Sequence, residues 1–215
     1  MIKIMLVDDH DMVRTGLKRL LEDFSDIEVI AEASSGEQAI EILQKLKPDI
    51  ALMDLSMPGI GGLEATRKLL RAHKDLKIII VTMHNEDIFP QRLLNIGAMG
   101  YVTKEANVHE MVKAIREVMN NKRYISPEIA QHMALANSQD SEKSPFDLLS
   151  ERELQVMLML MDGDKVNKIS EKLCLSPKTI STYRYRLYDK LNVSNDIELT
   201  KLALRHGILG ELDGK

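Results

Sequence analysis

The sequence predicts an α/β fold, a parallel sheet with helices on both faces, followed by a separate all-α domain. Three observations predict it. Short β-rich apolar runs alternate strictly with segments of helical period through the first half. A polar, Ser-rich stretch without apolar residues interrupts the chain from Asn137 to Ser144. Beyond it only helical periods recur. Strict βα alternation requires crossover helices, and these cover both faces of a parallel sheet.

The strand runs are “IKIMLV”, “EVIAEA”, “DIALMD”, “KIIIVTM” and “GYVTK”. A strand buried on both faces reads as a near-continuous apolar run, as “KIIIV” does. Between the runs lie “VRTGLKRLLEDF”, “GEQAIEILQKL”, “GLEATRKLLRAH” and “IFPQRLLNIGA”, and “VHEMVKAIREVM” follows the fifth. Leu17, Leu20, Leu21 and Phe24 recur at helical spacing, as do Ala39, Ile40 and Leu43. Ser126-Pro127 opens a further helix. In the second half Ser150 is an N-cap, with Glu153 completing a capping box. “VNKISEKLCL” is short and amphipathic. “SPKTISTYRYRLYDKLN” starts with Ser176 as N-cap and Pro177 in the first turn. “NDIELTKLALRHGIL” ends on Gly207. The expected domains are 1–122, an extension and linker at 123–146, and 147–215.

Composition bounds the function. At 215 residues and 44% hydrophobic, the chain has material for two cores. The one cysteine, Cys174, excludes an intramolecular disulfide and fits a reducing compartment. Between two leucines it reads as a small buried hydrophobe. The N-terminal apolar run is too short for a signal peptide. No run approaches the ~18 apolar residues of a membrane span, so the expectation is a cytoplasmic protein with no membrane partner. The net charge of −4 hides a contrast: Asp164 to Lys190 carries seven basic and three acidic residues. That local excess matters to a polyanion more than the global sign.

In an open parallel sheet the ligand site lies beyond the carboxyl ends of the strands. The first run ends in Asp8-Asp9, the third in Asp54, the fourth in Thr82 and the fifth in Lys104. Clustered carboxylates repel one another and ask for a divalent cation, and oxygen ligands suit Mg²⁺. A carboxylate beside Mg²⁺ can attack a phosphoryl group, while the metal and a lysine offset charge on its oxygens. Met57-Pro58-Gly59 turns the chain sharply, which is expected to leave room above Asp54. A blander reading makes Asp9 or Asp11 a cap of the first helix. Capping alone does not explain four strand ends in this order.

“LVDDH”, “LMDLSMPGIGGLE”, “VTMH” and “GYVTKE” resemble a response-regulator receiver domain over about the first 120 residues. The resemblance implies a flavodoxin-like (βα)5 fold of strand order 2-1-3-4-5, an order the general rule for such sheets already associates with receivers. It further implies that Asp54 is the phosphoacceptor. Asp8, Asp9, Asp54 and the backbone carbonyl of Ser56 would hold Mg²⁺. Lys104 would contact the phosphoryl group, and Thr82 and Tyr101 would form the switch. The chain departs from the pattern at Glu105, where many receivers carry proline.

In the second half, a short helix, a tight turn and a longer basic helix have helix-turn-helix spacing. At 100° per residue Ile180, Tyr183, Leu187 and Leu191 gather on one side. Thr182, Tyr185 and Arg186 fall opposite, with Lys178 and Ser181 near the helix start. The first set packs and the second enters a major groove. With Thr179 and Arg184, these make up the expected DNA-binding set. Lys and Arg supply salt-dependent phosphate affinity, and hydroxyls reach base edges or phosphates. “LSERELQVMLML” to “LALRHGIL” is similar to the LuxR/NarL-type helix-turn-helix domain, and “LSPKTISTYRYRLYDKL” most resembles its GacA/UvrY group. Ser170 stands where alanine is commoner. The resemblance implies a transcription regulator phosphorylated by a sensor histidine kinase, which then pairs as a homodimer on double-stranded promoter DNA.

Two other classes compete. A phosphohydrolase using Asp54 as nucleophile usually has a second acid two residues on, and here that position is Ser56. A phosphate-independent interaction module would not need the full set Asp8, Asp9, Asp54, Thr82 and Lys104. A non-enzymatic regulator is therefore the expectation.

Overall fold

The computed structural model describes residues 1–82, 88–138, 145–161 and 163–206. The linker residues 139–144, His84 of the “VTMH” motif and Gly207 lie outside them. The chain divides into two compact units, with the boundary inside a helix between Met133 and Ala134.

The first unit is built on β1 (Ile2–Val7), β2 (Ile27–Ala33), β3 (Ile50–Met53), β4 (Lys77–Thr82), β5 (Gly100–Thr103) and β6 (Tyr124–Ile125). All pairings are parallel, in the order β2-β1-β3-β4-β5-β6. The expected order holds, and a sixth strand extends it. Tyr124 and Ile125 pair with Gly100 and Tyr101, so the sheet continues past the expected end of the first domain at residue 122. Two residues carry no periodicity, which is why the strand has no sequence signal.

Central strands β3 and β5 are buried throughout. β2, at the edge, is only partly buried and tolerates Glu28 and Glu32. The helices are α1 (Asp11–Glu22), α2 (Gly36–Leu43), α3 (Gly61–Ala72), α4 (Ile88–Ile96), α5 (Val108–Met119) and α6 (Pro127–Ser138). Ser35 and Asn107 cap α2 and α5 by accepting from Gln38 and Glu110 N–H. Leu21 and Ile115 join β-strand residues Ile4, Leu6, Leu52 and Ile79 in one aliphatic core. Leu20, expected on that face, is largely exposed: the buried stripe of α1 is narrower than its leucines suggest.

The second unit contains a 3-10 helix (Pro145–Leu148), α7 (Glu151–Met161), α8 (Val166–Lys172), α9 (Pro177–Leu191) and α10 (Asp196–Arg205). Val156, Leu160, Ile169, Leu173 and Ile180 form a core cluster. The capping box is present: Ser150 N–H donates to Glu153 Oε2 at 2.7 Å, and Glu153 N–H reaches Ser150 Oγ at 3.4 Å. Glu153 is buried and pairs with Lys190 Nζ at 2.6 Å, tying α7 to α9.

The expectation for Cys174 is corrected. It occupies the turn between α8 and α9 with φ +52°, and it is exposed. The left-handed turn buries Leu173 and rotates the next side chain outward, which no flanking pair of leucines signals. Ser170 is buried, but its hydroxyl donates to Asn167 O at 2.7 Å, so the departure from alanine leaves no unpaired group.

Candidate functional site: an acidic strand-end pocket and an exposed basic helix

The ends of β1, β3, β4 and β5 converge because parallel pairing sets them in register. Val7 pairs with Met53, Met53 with Ile80, and Thr82 with Thr103. The residues that follow share one rim. Asp54 N–H donates to Val7 O at 2.8 Å and Asp8 N–H to Ala33 O at 3.1 Å, fixing both carboxylates. Lys104 N–H donates to Thr82 O at 2.8 Å, which holds the lysine beside the buried threonine.

Lys104 Nζ bridges the acids, 2.6 Å from Asp8 Oδ2 and 3.0 Å from Asp54 Oδ2. Asp54 is 2% exposed. Burial raises its carboxyl above the ordinary value, opposed by the Lys104 charge and reinforced by Asp8; Ser56 N–H also favours the charged form. Burial alone would lower the Lys104 ammonium, but the Asp8 hydrogen bond and the Asp54 charge hold it above the ordinary lysine value. Asp54 thus lies in a dry pocket with one cation for several anions.

Asp8, Asp9, His10 and Asp54 each offer a ligand atom, all within 4.8 Å of one another. Asp9 Oδ1 and Asp54 Oδ2 are buried and each faces a single charged partner, His10 Nδ1 and Lys104 Nζ, both at 3.0 Å. Clustered carboxylates repel one another, and a divalent cation satisfies several together. The donor set fits such a group. His10, next in sequence after the two acids, also lies against them. Its Nδ1 lies 3.2 Å from Asp8 Oδ1 and 3.0 Å from Asp9 Oδ1.

The capping reading of Asp9 and Asp11 does not hold. The N-cap of α1 is His10, with no side-chain cap bond; Asp8 Oδ1 accepts from His10 N–H at 2.8 Å instead. The loop after Asp54 also differs from expectation. Gly59 turns at φ +74°, but the small residue nearest the acid is Gly62. A Cβ there would sit 1.9 Å from the Asp54 carbonyl oxygen. The glycine admits α3 against the backbone of Asp54 and so helps fix the acid from behind.

Tyr101 is fully buried in β5. Expected to move inward as a switch, its ring is already inside. Its carbonyl accepts from Ser126 N–H at 3.0 Å, so the β6 segment holds this strand end.

In the second unit α9 follows Ser176, whose Oγ accepts from Thr179 N–H at 3.1 Å. Ile180 and Leu187 are fully buried and Leu191 nearly so, with Tyr183 packed beside the core. Lys178, Thr182, Tyr185 and Arg186 are exposed, and Tyr185 keeps 73% of its surface. Thr179 and Ser181 are half-buried. Arg184 is already engaged within the domain. Its guanidinium donates to Tyr188 Oη at 2.6 Å and to Asp196 Oδ2 at 2.5 Å, and Tyr188 Oη also bonds Asp196. These bonds commit Arg184 to joining α9 and α10. Four residues separate Arg184 from Tyr188, one turn along the same face, but their acid partner lies on another helix that periodicity does not place.

Comparison with known proteins agrees with both halves. Residues 4–116 match the response regulator receiver domain, and residues 147–203 match the luxR family of bacterial regulatory proteins. The chain is 57% identical over 210 residues to the response regulator GacA of Pseudomonas syringae pv. syringae (strain B728a), covering 97% of this chain and 98% of that protein. It is 53% identical over 209 residues to the response regulator UvrY of Escherichia coli (strain K12), covering 97% and 96%. Among solved structures, RcsB from Salmonella enterica serovar Typhimurium, bound to promoter rprA in the presence of phosphomimetic BeF3−, matches with a TM-score of 0.67. The identity is 26%, covering 94% of this chain and 97% of that one. On the strand-end acids, the basic helix and these matches together, the chain belongs to the response regulators that join a receiver domain to a LuxR-type DNA-binding domain.

Proposed function

We propose that Asp54 accepts a phosphoryl group from a sensor histidine kinase, and that this switches dimerisation and binding of promoter DNA by α9. The convergence of Asp8, Asp54, Thr82 and Lys104 on one buried rim carries the reading. One Asp54 oxygen attacks phosphorus as the bond to the kinase histidine breaks. Lys104, already within reach of Asp54, turns its ammonium to the phosphoryl oxygens, and Thr82 offers its hydroxyl on the same rim. Asp8, Asp9, Asp54 and the Ser56 carbonyl would hold Mg²⁺, which supplies charge neutralisation for the phosphoryl oxygens. Tyr101, on the neighbouring strand β5 and already buried, would carry the change onward from Thr82. Ser56 provides a backbone N–H and no acid for a leaving group, which favours a regulator over a phosphohydrolase.

On DNA, Lys178 and Arg186 would neutralise phosphates, while Thr182 and Tyr185 face the groove, with Thr179 and Ser181 near the helix start. Arg184 supports the helix instead. The receiver would run through β6 into α6, beyond the 122 first expected, and the DNA-binding domain would begin near 147. No helix among the described residues is long and apolar enough to cross a membrane, in keeping with a cytoplasmic regulator.

The test incubates the protein with Mg²⁺ and a small phosphodonor, then reads intact mass and promoter binding. Wild type should gain the mass of one phosphoryl group and bind DNA more tightly. Asp54→Asn should gain nothing. A normal gain in that variant, or undiminished labelling in chelator, would overturn the reading.

A further inference from the structure

We infer that Asp164 withholds the ammonium groups of Lys168 and Lys172 from DNA phosphates, and so keeps a single copy of the chain weakly attracted to any duplex. The inference rests on the DNA-binding reading of α9 and adds an opposing charge to it.

Position is the first argument. In a helix-turn-helix the first helix crosses the nucleic-acid backbone while the second enters the groove. Here α8 is that first helix, and Lys168 and Lys172 stand one turn apart on its exposed side. Two lysines so placed would ordinarily add to sequence-independent affinity, each releasing about one counterion. Asp164 lies just before α8 and takes both. Its Oδ1 is 2.5 Å from Lys168 Nζ, and its Oδ2 is 2.6 Å from Lys172 Nζ.

Burial is the second. The Asp164 side chain is 5% exposed, whereas the lysines keep 61% and 45% of their surface. Hydrogen bonds from Lys168 and Lys172 hold its carboxyl below the ordinary carboxylate range, so the group is charged at neutral pH. Among the described residues the carboxylate has no other partner. A duplex that drew both ammonium groups away would leave a buried anion without a cation, which is costly. The three side chains together present one net positive charge where the lysines alone would present two.

The third argument is what remains for the duplex. Seven basic residues lie between Asp164 and Lys190. The fold pairs Lys168 and Lys172 with Asp164, Arg184 with Asp196, and Lys190 with Glu153. Among the described residues no ion pair engages the other three, Lys165, Lys178 and Arg186, and all three are exposed. The positive excess legible in the sequence is thus largely neutralised inside the domain. Three phosphate contacts give a salt slope of about −2.7 per copy. So shallow a hold favours binding by two copies on adjacent half-sites over binding by one.

Fluorescence anisotropy of the full, unphosphorylated chain on a labelled random-sequence duplex, repeated over a range of salt concentrations, tests this. Asp164→Asn should steepen the salt slope by about 0.9–1.8 and tighten binding at least about threefold at low salt. Adding Lys168→Gln and Lys172→Gln to that variant should cancel the gain. Lys168→Gln alone leaves Lys172 on Asp164, and its slope should stay within about 0.3 of wild type. An unchanged or shallower slope in folded Asp164→Asn overturns the inference. A gain that survives loss of both lysines does the same, since the effect is then a diffuse change of charge. If Asp164→Asn loses its cooperative unfolding transition, Lys168→Gln decides: a slope shallower by about 0.9 means that lysine already reaches a phosphate, and a wild-type slope means that it does not. Lys178→Ala is the control for the underlying reading. If wild type binds no duplex, the DNA-binding reading fails; if it binds and Lys178→Ala alone changes the slope, only the role of Asp164 fails.

Discussion

Asp54→Asn should make the metal-free protein more stable, although Asp54 is the residue proposed for the reaction. Its charge attracts Lys104 across 3.0 Å and repels Asp8 and Asp9, whose ligand atoms lie within 4.8 Å. At an effective dielectric of about 20, the attraction is roughly 5.5 kcal/mol and each repulsion at least about 3.5. The two repulsions together exceed the one attraction by about 1.5 kcal/mol, and the neutral amide also avoids most of the cost of burying a charge. Lys104 keeps Asp8 as a partner at 2.6 Å. Asp9 is 28% exposed, which trims its share, so a gain of about 1–3 kcal/mol is expected. For a domain of this size each kcal/mol moves Tm by about 3–5 °C.

Differential scanning fluorimetry in chelator, on the full chain, reads that shift in the receiver transition. The pH dependence checks the cause. The Asp54 carboxyl is raised above its ordinary value of 3.8. Its contribution to stability is therefore complete below that value and lost as pH rises through the raised one. The gap between variant and wild type should narrow as pH falls from 7 toward 4.5. Mg²⁺ at 100 times its Kd should lift wild type by about 2.7 kcal/mol and close much of the gap. A variant less stable than wild type in chelator, or a gap independent of pH, would refute the electrostatic argument.

Gly62→Ala should destabilise the receiver by about 3 kcal/mol or more, because its Cβ would meet the Asp54 carbonyl at 1.9 Å; thermal unfolding checks it, and an unchanged Tm would show that α3 can retreat freely. Lys190→Ala strips the buried Glu153 of its cation, a loss of about 1–2 kcal/mol after discounting for the partly exposed lysine. Glu153 is held below its usual value despite burial, by Lys190 and Ser150, so this stability is present above pH 4.5 and disappears as pH falls through the lowered value; acid unfolding of wild type and variant should converge. Lys178→Ala should weaken binding to target and random duplexes alike and reduce the salt slope by about 0.9. Tyr185→Ala should instead lower the target-to-random ratio, and an intact ratio would remove that tyrosine from base reading.

What was legible in the sequence was local. A strand buried on both faces is written as four consecutive apolar residues, and Ile50–Met53 is one. The same register that makes the strands parallel brings their following residues together, so Asp8, Asp54, Thr82 and Lys104 could be grouped before any distance was known. Caps were equally plain, since Ser150 and Ser176 act within three residues. The illegible parts are those decided between segments distant in sequence. Arg184 looks like any basic residue on an outward helix until Asp196, twelve positions on, takes its donors. Cys174 looks buried until a left-handed turn rotates it out. The loop after Asp54 looks like room for a ligand, but at Gly62 the space is filled by the backbone of Asp54 itself. Each correction has the same form: the residue type was compatible with two roles, and a partner on another element chose between them.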